Sequence, residues 1–129
     1  MSDMSVENEE RNDKPLEESG EQSSQIRERK LMLKITKSSY FMPQTEWILE
    51  PGEYIVGRYP SNDIVLPDPF ISRRHARVFY RDGEWFIEDL DSTNGTIVNN
   101  ENIKGKGPRR ISDGDEIIIG LTVIVSKIL

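Results

Sequence analysis

Ala76-Arg77-Val78-Phe79-Tyr80-Arg81-Asp82-Gly83-Glu84-Trp85-Phe86-Ile87-Glu88-Asp89 has the residue pattern of a β-hairpin. Strand side chains alternate between faces. This puts Ala76, Val78 and Tyr80 on one face of the first arm, and Arg77 and Phe79 on the other. The return arm places Trp85, Ile87 and Asp89 together, opposite Phe86 and Glu88. Asp82-Gly83 between the arms suits the two-residue turn that needs positive φ.

The same grammar continues outward. Short apolar runs are expected as strands at Leu31–Ile35, Trp47–Leu49, Tyr54–Gly57, Ile64–Leu66, His75–Tyr80, Trp85–Asp89, Thr96–Val98, around Ile103 and Ile111, at Ile117–Gly120 and at Leu121–Ile128. Breakers separate them, among them Pro51-Gly52, Pro60-Ser61-Asn62-Asp63, Pro67, Pro69, Asn94-Gly95, Asn99-Asn100 and Asp113-Gly114. Turn signals about every ten residues, with no helical period in the apolar residues, mark an all-β sandwich or barrel. Leu121 to Leu129 is almost wholly apolar or β-branched, so it reads as a core strand whose deletion would unfold the domain.

The chain has 129 residues and a net charge of −6. Residues 1–25 hold eight acidic and two basic residues, which accounts for the whole −6 and leaves the rest neutral. Residues 1–29 contain few large apolar side chains (Val6, Leu16, Ile26) and are expected to be a disordered acidic tail. Residues 30–129 are expected to form the domain. No apolar run is long enough for a membrane-spanning helix. Met1 to Glu10 lacks the basic and apolar regions of an export signal, so a cytoplasmic location is expected. Without cysteine there is no disulfide or thiolate site, and one histidine, His75, does not make a zinc site. Asp89 and Asp91 begin a calcium-loop pattern, but Asn94 and Asn100 stand where it requires glycine and glutamate. No metal or cofactor is expected.

Polar residues suited to holding an anion cluster in the turns. Arg58 follows a strand, and its guanidinium offers a planar fork of donors. Ser72-Arg73-Arg74-His75 fills one turn, and Ser92-Thr93-Asn94-Gly95-Thr96 the next. Hydroxyls and backbone N–H groups bind phosphate oxygens without bringing a full charge. Asn94-Gly95 alone would be a plain β-turn, since both tolerate left-handed backbone. That leaves Thr93 and its pairing with Ser72 unexplained. Ser72 and His75 suggest a nucleophile and base, but no acidic residue stands out as an orienting partner and no oxyanion element is evident. His75 reads instead as a brace that holds Ser72.

Gly57-Arg58, Ser72-x-x-His75, Ser92-Thr93-Asn94-Gly95-Thr96 and the following Asn99 resemble, in order and spacing, the signature of the forkhead-associated (FHA) domain. The resemblance covers about Leu31 to Leu129 and implies a two-sheet β-sandwich of about eleven strands. It implies a reader of phosphothreonine peptides, with Arg58, Ser72 and Thr93 on the phosphate and Arg73 near it through its backbone. Asn94 would hold the peptide main chain, and Gly57, His75, Gly95 and Asn99 would support the loops. The loop before Ser72 would help to set specificity, here through Phe70 and Ile71, with an apolar preference expected from Phe70. The partner implied is a phosphothreonine-containing protein or a Ser/Thr kinase. The chain would act as a monomeric adaptor rather than an enzyme. In some small FHA proteins a phosphorylated tail threonine folds back into the pocket. Residues 1–35 here contain no threonine, which argues against that device. Two alternatives stay open. One is phosphate-independent regulation of a metabolic enzyme through the same loops. The weaker one is nucleic-acid binding through Arg73, Arg74, Arg77 and Arg81, disfavoured by the neutral domain.

Overall fold

The computed structural model describes residues 28–129. The tail expected at residues 1–29 lies almost wholly outside them. The described chain is all β, with eleven strands: β1 Leu31–Ser38, β2 Glu46–Leu49, β3 Glu53–Gly57, β4 Ile64–Val65, β5 Ala76–Arg81, β6 Glu84–Asp89, β7 Thr96–Val98, β8 Glu101–Asn102, β9 Arg109–Ile111, β10 Glu116–Ile119 and β11 Thr122–Ile128. They form two sheets, a six-stranded one in the order β2-β1-β11-β10-β7-β8 and a five-stranded one in the order β4-β3-β5-β6-β9. All pairings are antiparallel except β3 with β4.

The hairpin forms as its residue types dictate. Arg81 pairs with Glu84, and Asp82 and Gly83 take φ of 52° and 83°. Ala76, Val78, Trp85 and Ile87 turn inward and are buried. They meet Leu31, Leu33, Trp47, Ile117, Ile119 and Ile124 of the facing sheet. Burying an aliphatic or aromatic side chain contributes about 1.5–3 kcal/mol each, so this shared interior holds the sheets together. Trp85 satisfies its indole N–H on the Arg29 carbonyl, 2.9 Å away. On the outer face Phe79 stacks on Phe86, with centroids 5.5 Å apart, and Arg77 and Arg81 cover Phe79.

Two expectations shift in detail. The polar pair Glu101–Asn102 forms β8, and Ile103 follows it as a buried plug rather than a strand residue. His75 precedes β5 instead of opening it. β11 lies between β1 and β10 at the centre of its sheet, as a core strand should.

The pairing fixes which turns share an end. Val56 of β3 stands opposite Ala76 of β5, which pairs with Asp89 of β6. The segments after β3, before β5 and after β6 therefore emerge together. Thr96 pairs with Ile119, which brings the β10–β11 turn to the same end.

Candidate functional site

At that end three loops are bonded to one another. Gly57 permits the closest approach: a Cβ there would collide with the Arg73 carbonyl and stand 2.7 Å from Asn62 Nδ2. Asn62 donates from that nitrogen to the carbonyls of Tyr59 (3.0 Å) and Arg73 (2.5 Å). The Arg58 N–H donates to the Ser72 carbonyl at 3.0 Å. Arg58 is further aimed by its own Nε, which donates to the Ile71 carbonyl at 3.0 Å. Among the described residues neither terminal NH2 group of its guanidinium has a hydrogen-bond partner and no carboxylate pairs with it.

His75 is fully buried and bridges two loops. Its Nδ1 accepts the Ser72 N–H at 3.0 Å, so the proton of the neutral ring sits on Nε2, which donates to the Gly95 carbonyl at 2.8 Å. Burial holds its pKa below the ordinary 6.5, against the Gly95 bond and the nearby Asp89 and Asp68 carboxylates. A carboxylate does stand near it, contrary to the sequence expectation: Asp89 Oδ1 is 3.9 Å from Nε2. That oxygen is already committed. It accepts from Ser92 Oγ at 2.6 Å and Thr96 Oγ1 at 2.7 Å, while Oδ2 accepts the Ser92 N–H at 2.9 Å. Burial alone would raise the Asp89 pKa, but these bonds and the histidine outweigh it and hold it below 3.8. Asp89 thus knots the β6–β7 loop instead of activating a base.

The ligand-facing residues lie above this buried layer. Ser72 Oγ accepts the Thr93 N–H at 3.0 Å, which leaves its hydroxyl hydrogen to donate. Arg58, Ser72 and Thr93 line one hollow of about 140 Å³ with Pro69, Phe70, Ile71 and Asn94. Asn94 donates from Nδ2 to the Phe70 carbonyl at 2.9 Å and keeps its carbonyl oxygen as an acceptor. Gly95 takes φ of 86° and packs against Asn102, whose amide atoms lie 2.6 Å from where a Cβ would be. Arg73 and Arg74 are exposed at the rim of an adjoining hollow.

Two assignments change. Phe70 is 47% exposed beside the hollow, but Ile71 is 1% exposed and its side chain belongs to the core. Only its backbone, through the bond to Arg58, reaches the site. Asn99 sits at the far end of β7 from Gly95. Its amide ties Asp115 and the Glu116 N–H, so it braces the opposite end of the domain. Three residues without a sequence assignment hold the loops instead: Asn62, Asp89 and Asp68. Asp68 is fully buried and accepts from the N–H groups of Phe70 (2.8 Å) and Leu121 (2.7 Å) and from Thr122 Oγ1 (2.9 Å). The prolines around Asp68 and the turn residues around Asn62 mark both as structured loops, but their partners lie elsewhere in the chain.

Among the described residues no cluster of His, Cys, Asp and Glu is arranged to hold a metal, and no helix is long and apolar enough to cross a membrane. Arg77 is paired with Glu88 at 2.9 Å, and Arg81 lies over the Phe79 and Phe86 rings. These two cations therefore do not extend the Arg58–Arg73–Arg74 patch.

Residues 54–120 match the sequence model of the FHA domain. The oxoglutarate dehydrogenase inhibitor of Corynebacterium diphtheriae is 39% identical over 74 residues, 57% of this chain and 50% of that protein. The FHA domain-containing protein FhaB of Mycobacterium tuberculosis is 40% identical over 70 residues, 54% of this chain and 44% of that protein. The match thus spans about half the length of these relatives. An FHA domain solved in a study of phosphothreonine-dependent interactions superposes with a TM-score of 0.65 at 31% identity, over 76% of this chain and 95% of that one.

Proposed function

This chain belongs to the FHA domain family, whose domains are binding modules, and from that premise we propose that it binds phosphothreonine peptides as a regulator or adaptor downstream of a Ser/Thr kinase. The observation that carries this reading is the convergence of Arg58, Ser72 and Thr93, from three loops, on one polar hollow. A phosphate on threonine brings about −1.5 to −2 charges and three strong acceptors. Arg58 would supply the paired donors and charge, the Ser72 hydroxyl one donor, and Thr93 a further polar contact. Arg73 would contribute its backbone and its field. Asn94 would use its remaining amide positions on the peptide main chain. Phe70 favours an apolar peptide side chain nearby. Hydrogen bonds to a charged group contribute about 1.5–3 kcal/mol each, so phosphorylation switches binding on. The domain, taken as residues 30–129, recognises the phosphate as a monomer and does not react with it.

Calorimetric titration with a degenerate phosphothreonine peptide pool tests this reading. Phosphoserine and unphosphorylated pools, and Arg58→Ala, serve as controls. Binding by the unaltered chain to phosphothreonine alone is expected. Equal binding to the unphosphorylated pool would overturn it. A second reading comes from the names of two relatives, oxoglutarate dehydrogenase inhibitor and glycogen accumulation regulator. On this reading the same surface docks on a metabolic enzyme without phosphate. Retention of such a partner after phosphatase treatment would select it.

A further inference from the structure

Two hollows meet at the wall made by Arg58, Ser72 and Thr93. One runs over Phe70 and Asn94. The other, of about 410 Å³, opens toward Arg73 and Arg74. A single phosphothreonine at the shared wall leaves the second hollow unexplained.

The charge there is unbalanced. Arg77, Arg109 and Arg110 each sit within 3.2 Å of a glutamate. Among the described residues Arg58, Arg73 and Arg74 have no carboxylate within 4.0 Å. Three guanidinium charges gathered at one end repel one another, and one phosphate of about −1.5 to −2 charges does not neutralise them. Tyr59 offsets part of this repulsion. Its ring centroid lies 5.5 Å from Cζ of Arg58 and 5.4 Å from Cζ of Arg73, within the reach of cation–π attraction. Its backbone is fixed, because its carbonyl accepts from both the backbone N–H and Nδ2 of Asn62. The exposed ring therefore gathers two cations at the wall and leaves Arg74 beside them.

We propose that the Arg73–Arg74 hollow is a second anion subsite, which takes an acidic side chain or a second phosphate of the same peptide on one side of the phosphothreonine. Tyr59 is its positioning residue, holding Arg73 between the two anions. This rests on the phosphothreonine reading and adds the charge of the peptide's flank to it.

The test is calorimetry on the full chain with one phosphothreonine peptide in an alanine background. Glutamate, or in a parallel series phosphoserine, is placed singly at each of three positions on either side. The expected result is a gain on one side only, about three- to fivefold for glutamate and about tenfold for the second phosphate, shrinking as salt is raised. Arg74→Ala removes the gain and weakens the alanine-background peptide far less than Arg58→Ala does. Tyr59→Ala reduces the gain and Tyr59→Phe restores it, because the ring and not the hydroxyl holds the arginine. A phosphothreonine-dependent affinity with no gain, with equal gains at every position, or with a gain that survives Arg74→Ala overturns the subsite alone. Failure of every phosphothreonine peptide to bind overturns it together with the reading beneath it.

Discussion

The two ends of the sandwich use the same kinds of turn residue and do different things with them. At the end away from the site the hairpin turns close locally, and the longer ties, from Asn99 to Asp115 and Glu116 and from Ser126 to Ser112, brace the strands. Asp82-Gly83 and Asn99-Asn100 are two-residue turns with positive φ at both positions, joining strands adjacent in sequence. At the other end the loops are bonded to each other: Asn62 to Arg73, His75 to Gly95, Thr93 to Ser72, Asn94 to Phe70, and Leu121 to Asp68. A turn needs only local geometry. At the site end the ties run from loop to loop, with His75–Gly95 buried beneath them, and polar groups are costly to bury unless their bonds are made. Loops fixed to each other while Arg58 and Ser72 keep donors to offer outward are what mark the binding end.

The sharpest way to break this contrast is a pair of glycine substitutions. Gly57→Ala forces two backbone segments apart and should cost about 3 kcal/mol of stability and disrupt peptide binding. Gly83→Ala strains a positive φ for about 1–2 kcal/mol and should leave affinity intact. Urea melts and peptide titration on both variants check this. Next, Arg58→Ala should lose about 2–3 kcal/mol of phosphopeptide affinity, roughly 30- to 150-fold, with a far smaller change in melting.

Acid should act mainly through the binding end. His75 is held neutral with its pKa below 6.5, so its stabilisation is complete above pH 6.5. As pH falls below 6.5, the unfolded chain takes up a proton that the folded chain refuses. Stability then drops by up to about 1.4 kcal/mol per pH unit until the folded pKa is passed. The bonds to Asp89 are lost only lower, as pH falls below 3.8 and through its depressed folded pKa. Denaturant melts at pH 7, 6 and 5 should show the first slope, and His75→Gln should flatten it. The smallest effect sharpens the contrast from the far end. Asn99→Ala should cost about 1 kcal/mol through its lost bonds to Asp115 and Glu116 and leave peptide affinity unchanged.

What was legible in the sequence divides along the same line. The hairpin, the sandwich and the central last strand follow from alternation and turn dipeptides, which act over a few residues. The polar residues of the Arg58, Ser72 and Thr93 turns were visible for the same reason. Long-range partners were not. Asp68 bonds to Leu121, 53 residues on, and Asn62 to Arg73, 11 residues on, and no period or motif encodes such pairs. Asp89 looked like one more inward strand residue. Ile71 and Phe70 looked alike as apolar loop residues, and only packing separated a buried anchor from an exposed contact. Asn99 belonged to the right motif but at the wrong end of a three-residue strand.

The place of β11 between β1 and β10 sets a timetable. During synthesis β1 emerges early, yet its main partner, joined at Leu31 with Ile128, is made 97 residues later. The six-stranded sheet cannot close on a ribosome until nearly the whole domain has been exposed, and such distant pairings are slow to form. The loops depend on that closure, because Asp68 is anchored on Leu121 and Thr122, at the turn into β11. A partly made chain thus presents its arginines without the frame that aims them, so competence to capture a partner arrives as one of the final events of folding.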